Sequence, residues 1–240
     1  MIQIENVSKS YAKSKVKAVN TMNLQVENGE IFGFIGPNGA GKTTTIKMMT
    51  GILRPDEGRI LINGHDIVRE PIGAKMEIGF VPDSQDVFDK LTGMEYLNFM
   101  ADVYGVEPAN RRERIERYLE MFELTKAAGD NIKSYSHGMR QKLMVIGALL
   151  HNPPVWVLDE PMVGLDPKSS HLLKQEMRRH ADGGNSVFFS THVLEVAEKL
   201  CDRIGIIDHG ELIFVGTLAE LRSGNQESLE ELFLQLTEGE

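Results

Sequence analysis

One stretch constrains this chain more than any other. Gly36-Pro37-Asn38-Gly39-Ala40-Gly41-Lys42-Thr43-Thr44 fits the pattern G-x-x-x-x-G-K-[ST], and the apolar run Ile31-Phe32-Gly33-Phe34-Ile35 leads into it. That run reads as a buried strand, and Thr44 to Met49 read as a helix leaving the loop. Strand, glycine turn and helix in this order make an anion site. Gly36, Gly39 and Gly41 let the backbone curl until successive N–H groups face one point, which the positive end of the helix also faces. Lys42 supplies a compact charge for the β- and γ-phosphates of a nucleotide, and Thr43 a hydroxyl for Mg²⁺.

Around this loop, 240 residues with 41% hydrophobic content suffice for one large core. A formal net charge of -9 opposes a dedicated nucleic-acid binder that neutralises phosphates with a basic face. Lys13, Lys15 and Lys17 form only a short basic run, read as a solvated loop. Cys201 is the single cysteine, so no disulfide forms within the chain, which suits a reducing compartment such as the cytoplasm. Met1 to Val7 alternate like an edge strand and lack the apolar stretch of a signal peptide. Nothing approaches about 18 consecutive apolar residues, so work at a membrane requires another chain to cross it.

The first third alternates apolar and polar residues: Ile2 to Val7, then Met22, Leu24 and Val26, then Ile60 and Ile62 before the turn Asn63-Gly64. This is a partly antiparallel β region. A helical block begins at the capping box Thr92-Gly93-Met94-Glu95, followed by Leu97, Met100, Ala101 and Tyr104 at helical spacing. A second amphipathic helix carries Ile115, Tyr118, Leu119 and Phe122 on one face, with Arg111, Arg112, Arg114 and Arg117 reading as its solvated face. The last third returns to β/α alternation, with strands at Val155 to Leu158, Val187 to Ser190 and Ile204 to Asp208, which predicts a parallel sheet. Asp166-Pro167 reads as a helix start, and Val193, Val196, Ala197 and Leu200 as a buried helical stripe. A final capping box, Ser228-Leu229-Glu230-Glu231, opens an amphipathic tail helix with Leu229, Leu232, Phe233 and Leu236, expected to pack on the core.

A phosphate loop alone does not separate kinase, GTPase, motor and transporter engine; the other motifs do. Val155-Trp156-Val157-Leu158-Asp159-Glu160 is an apolar strand ending in two carboxylates, at the sheet edge where open α/β folds bind ligands. Asp159 suits a Mg²⁺ shell shared with phosphate oxygens. Glu160 points elsewhere and suits polarisation of a water in line with the γ-phosphate. Ser190-Thr191-His192 closes the next strand, where a neutral imidazole offers both a donor and an acceptor to phosphate and water. In Tyr135-Ser136-His137-Gly138-Met139-Arg140-Gln141-Lys142, Ser136 reads as the N-cap of a helix through Leu143 and Ile146, with its hydroxyl and first N–H groups toward an anion.

With that segment, the chain resembles the ATP-binding subunit of an ABC (ATP-binding cassette) transporter from Ile2 to about Leu221. The resemblance implies that Tyr11 stacks on adenine, Gly36 to Thr44 form Walker A, Tyr135 to Gln141 the signature, Val155 to Glu160 Walker B, and Gly164-Leu165-Asp166 the D-loop, with His192 as the switch histidine. It also implies an α/β fold: a P-loop NTPase (RecA-like) core with an antiparallel β subdomain and an inserted α-helical subdomain. Residues 1–85 and 155–222 would form the core, 86–154 the helical subdomain, and 223–240 the tail. In this family ATP and Mg²⁺ are the cofactors, and two cassettes bury two ATP molecules. The signature residues Ser136, His137 and Gly138 would then act in trans on the partner's nucleotide.

Two segments depart from the family pattern. The common signature reads Leu-Ser-Gly-Gly-Gln, whereas here His137 replaces the first Gly and Met139 the Gln, which removes a polar contact and implies a slower composite site. In Gly79-Phe80-Val81-Pro82-Asp83-Ser84-Gln85, alignment by the strand and by Leu91-Thr92 puts Asp83 where the family carries a Mg²⁺-sensing Gln, with Gln85 as the rival.

The leading expectation is therefore an ATPase that powers transport by a partner membrane protein, attached to the cytoplasmic membrane face. The wording Asn38-Gly39-Ala40-Gly41-Lys42-Thr43-Thr44-Thr45 is similar to subunits of ABC-2-type exporters. A soluble ABC ATPase acting on ribosomes or DNA is the alternative, opposed by a single cassette, no long heptad segment and the charge of -9. A small-molecule phosphotransferase has no use for the Ser136 segment or His192.

Overall fold

The computed structural model describes residues 1–11, 16–84, 88–222 and 228–237. Lys13, Lys15 and Gln85 therefore lie outside the described residues; Lys17 reaches Ser8 and Glu57. In chain order the first elements are β1 (Ile2–Lys9), β2 (Val19–Val26), β3 (Ile31–Ile35), α1 (Lys42–Met49), β4 (Glu57–Ile62) and β5 (His65–Asp66). Next come α2 (Pro71–Met76), β6 (Ile78–Val81), α3 (Gly93–Val103), α4 (Pro108–Met121), a 3₁₀ turn (Ile132–Ser134), α5 (His137–Leu149) and β7 (Val155–Leu158). The last are α6 (Pro167–Asp182), β8 (Ser186–Thr191), α7 (Leu194–Leu200), β9 (Arg203–Asp208), β10 (Glu211–Gly216), α8 (Leu218–Arg222) and α9 (Leu229–Thr237). Among the described residues no helix is long and apolar enough to cross a membrane.

Two sheets result. One is antiparallel in the order β2-β1-β4-β5, with Met22, Leu24 and Val26 turned inward at period two. The other runs β10-β9-β3-β8-β7-β6; its strands from β9 to β6 are parallel, and β10 closes one edge as a hairpin. Parallel strands are covered on both faces and so read as unbroken apolar runs. In β7, Trp156 and Leu158 face the cluster shared with the helical block, and Val155 and Val157 face the cluster shared with the antiparallel sheet. That placement makes the segment's four residues fully buried and fixes which way the next two residues leave the sheet.

The helical block forms where the capping box stands. Thr92 Oγ1 accepts from Glu95 N at 3.2 Å, and Thr92 N donates back to Glu95 Oε2 at 2.8 Å. Leu97, Ala101, Ile115, Tyr118, Leu119 and Phe122 are buried in one cluster with Trp156. Burial of a side chain such as Leu97 or Phe122 contributes about 1.5–3 kcal/mol. The arginine row of α4 is not a solvated face throughout. Arg111 meets the Asp102 carboxylate at 2.6 Å and donates to the Val106 carbonyl at 3.3 Å, and Arg114 donates to the Leu150 carbonyl at 2.6 Å, while Arg112 stays outside with Glu116.

The expected stripe on α7 is narrower than its sequence suggests. Ala197 is buried, but Val193 precedes the helix at its N-cap and is exposed. The tail helix α9 docks as expected through Leu229, beside Ile35, Ala197, Ile204 and Ile206, with Phe233 against them; Leu236 stays exposed.

Candidate active site

Four parallel strands end at one edge of the sheet, and each carries one piece of the site. Ile35 pairs with Thr191, Leu158 with Phe189, and Val81 with Leu158, so the ends of β3, β8, β7 and β6 are level. The Gly36 to Gly41 loop leaves β3, Asp159 and Glu160 leave β7, His192 follows β8, and Asp83 follows β6. This is the carboxyl edge where an α/β sheet binds its ligand.

A cleft of about 320 Å³ opens there, lined by Asn38, Gly39, Gly41, Lys42, Thr43 and Thr44 on one side and by Tyr11, Ala18, Asp83 and Glu160 around it. Gly41 takes φ of +115, and a Cβ on it would press on the Ala18 carbonyl at 2.5 Å, so only glycine fits at the mouth of α1. Ala40 closes a turn by donating to Pro37 O at 3.2 Å and accepts from Gly210 N at 2.9 Å, tying the loop to the β9–β10 hairpin. The Lys42 ammonium turns back into the loop, donating to Gly36 O at 2.7 Å and Pro37 O at 3.1 Å. Burial pushes its pKa down, while Glu160 and Asp159 oppose the shift. Tyr11 is exposed at the rim, with its hydroxyl 3.2 Å from Thr44 Oγ1.

The two carboxylates diverge. Asp159 is buried and accepts hydrogen bonds from Ser190, at 2.6 Å, and from Thr43. Burial raises its pKa, those bonds lower it, and the charges of Asp83 and Glu160 raise it again. A buried carboxylate beside a hydroxyl and under the field of two further carboxylates is a hard-oxygen donor set short of positive charge, which fits Mg²⁺ bound with phosphate oxygens. Glu160 adopts φ of +49, a left-handed conformation that costs a non-glycine residue about 1–2 kcal/mol. That turn carries its carboxylate back over the loop. Oε1 lies 3.8 Å from Lys42 Nζ and Oε2 3.0 Å from His192 Nδ1. An ionised carboxylate only accepts, so this contact places a proton on Nδ1; Nε2 then donates to a phosphate oxygen only when the ring carries both protons.

The Ser136 segment lies on the Gly164-Leu165-Asp166 turn of its own chain. Ser136 caps α5 by accepting from Met139 N at 3.3 Å, and its hydroxyl hydrogen remains available to donate. Gln141 donates to Pro161 O at 3.2 Å. A Cβ on Gly138 would come within 2.8 Å of the Gly164 carbonyl, and a Cβ on Gly164 would overlap the His137 ring. His137 is thus laid over Gly164, whose φ is +78. Asp166 caps α6 through Ser169 N at 2.9 Å and Ser169 Oγ at 2.6 Å, and meets Lys142 of α5 at 3.2 Å. The Ser169 bonds, with Lys142, hold its carboxyl well below the usual range.

Ser190 is the residue that sequence reasoning passed over. Its signal was present only as a polar residue inside an otherwise apolar strand, two places before His192.

Fold and site together define a P-loop nucleotide hydrolase. Residues 19–163 match the family model described as ABC transporter. The linearmycin resistance ATP-binding protein LnrL of Bacillus subtilis (strain 168) is 39% identical over 223 residues, covering 93% of this chain and 71% of that protein. A solved ATP-binding subunit of an ABC transporter superposes with a TM-score of 0.94 at 32% identity, covering 98% of this chain and 99% of that one. A dimeric ATP-binding cassette in a post-hydrolysis state with ADP and Pi superposes with a TM-score of 0.82 at 26% identity, covering 91% and 99%. The chain belongs to the ABC transporter family and is an ATP-binding, ATP-hydrolysing subunit of that family.

Proposed function

We infer that the chain drives export through a membrane-spanning partner, with two cassettes closing on two ATP molecules. The observation that carries this reading is Glu160, held between Lys42 and His192 at the mouth of the phosphate loop. In that position its carboxylate orients and polarises a water aimed at the γ-phosphate. Lys42 and the Gly36 to Thr44 backbone hold the triphosphate, and Tyr11 stacks on the base. Thr43 and Asp159, with Asp83 across the cleft, hold Mg²⁺, which when bound offsets phosphate charge. His192 steadies Glu160 and the γ-phosphate region. Ser136 and Gly138 at the start of α5 reach the partner's nucleotide, with His137 and Asp166 bracing that face.

Resistance, the role in the printed name of the linearmycin relative, supports export. Action on nucleic acid is disfavoured by the net charge of -9. We place the chain on the cytoplasmic membrane face, held there by its partner. Detergent extraction of the native host with affinity capture of this chain tests the assembly. A multi-span membrane protein should be recovered in stoichiometric amount, and recovery with ribosomes or DNA instead rejects the reading.

A further inference from the structure

Ser190 sits at the end of β8, fully buried, between the strand that feeds the phosphate loop and the strand that carries the two carboxylates. Its single hydroxyl makes two bonds of opposite sense. Oγ donates to Asp159 Oδ1 at 2.6 Å and accepts from Glu160 N at 2.9 Å. One hydroxyl therefore fixes one carboxylate directly and the backbone of the next residue. That backbone is the strained one, with Glu160 at φ of +49.

We propose that Ser190 is a positioning residue for hydrolysis, the clasp that holds Asp159 toward Thr43 while turning Glu160 back toward Lys42 and His192. Adjacent residues leaving a strand point to opposite sides by default, and nothing within the dipeptide sets how far the second one turns. Ser190 sets it from outside, through the Glu160 N–H. Without the hydroxyl that part-buried N–H loses its partner and Asp159 loses a donor, so both carboxylates gain freedom at once. Small displacements of a general base are costly to rate, whereas the phosphate loop that binds ATP is anchored elsewhere, on Lys42 and the Gly210 hairpin. The signature is therefore a loss in turnover without a matching loss in nucleotide affinity. Threonine keeps the donor and acceptor and should keep the clasp; cysteine keeps the size but donates weakly.

This inference rests on the roles given to Asp159 and Glu160 above, and one experiment separates the two. ATPase turnover, KM for ATP, affinity for a fluorescent ATP analogue without Mg²⁺, and thermal unfolding are measured for wild type, Glu160→Gln, Ser190→Ala, Ser190→Thr and Ser190→Cys. Ser190→Ala should lose at least about tenfold in kcat, with KM and analogue affinity within about twofold, and Ser190→Thr should retain more than half of wild-type kcat. If Ser190→Ala does not fold, the order Thr above Cys in kcat at equal analogue affinity carries the same expectation. Unchanged kcat in Ser190→Ala, equal losses in the Ala and Thr variants, or a cysteine variant as active as wild type overturns the clasp. Normal turnover in Glu160→Gln overturns the underlying assignment instead.

Discussion

His192 Nδ1 stands 3.0 Å from Glu160 Oε2, although the two residues are 32 positions apart and leave different strands. The contact joins the carboxylate proposed to activate water to an imidazole that is half exposed, so on that proposal His192 steadies the base. His192→Ala removes it. Single-turnover hydrolysis should slow by about a hundredfold, with ATP affinity nearly unchanged; a variant that hydrolyses normally would remove His192 from the mechanism.

The packing of His137 on Gly164 gives a second test. Gly164→Ala adds both a left-handed strain and an overlap with the imidazole, so it should depress ATPase activity by about tenfold or more. Adding His137→Gly removes the overlap but not the strain and should restore part of the loss. A double-mutant cycle measures this, and additive effects with no recovery would mean that the ring does not brace the Gly164 turn.

Stability should fall with acid at a residue outside the site. His151 stacks on Tyr104, with ring centroids 3.7 Å apart, and burial pushes its imidazole down to about 4 from an ordinary 6.5. Between those values the unfolded chain binds the proton and the folded one does not, so acidification favours unfolding. About 3 kcal/mol of stability present at pH 7 should be lost by pH 4 through this group. Denaturant titrations across that window should show a shallower pH slope for His151→Phe than for wild type; identical slopes would exclude His151 as the source.

Asp83 lines the cleft and its charge raises the Asp159 pKa, which places it in the field of the proposed Mg²⁺ site. Asp83→Ala should raise the Mg²⁺ concentration for half-maximal hydrolysis by about tenfold. The comparison with Gln85→Ala decides between the two candidates: an unaffected Asp83 variant beside an impaired Gln85 variant assigns the role to Gln85.

The pieces that spacing encodes were legible before any coordinates. The phosphate loop, the Asp159-Glu160 strand end, the Thr92 to Glu95 capping box and the Asp166-Pro167 helix start each lie within one short segment whose local geometry is dictated by its own residues. What spacing does not carry is the direction of a side chain after the chain turns. Ser190 reaching two residues on β7's exit, and His137 folding on to Gly164, join segments 27 to 31 positions apart and depend on how strands and loops are laid side by side. The arginines of α4 misled for a related reason. Periodicity says which face they occupy but not that the Leu150 carbonyl and Asp102 stand within their reach. Val193 matched the helical stripe by number alone, since the helix starts one residue later.

Glu160→Gln removes the charge proposed to polarise water and keeps the shape that contacts Lys42 and His192. With ATP and Mg²⁺, light scattering behind size exclusion should show this variant at twice the 26.8 kDa chain mass, with ATP retained and turnover reduced by at least about a hundredfold. Wild-type turnover in that variant, or a monomer at every ATP concentration, contradicts the account.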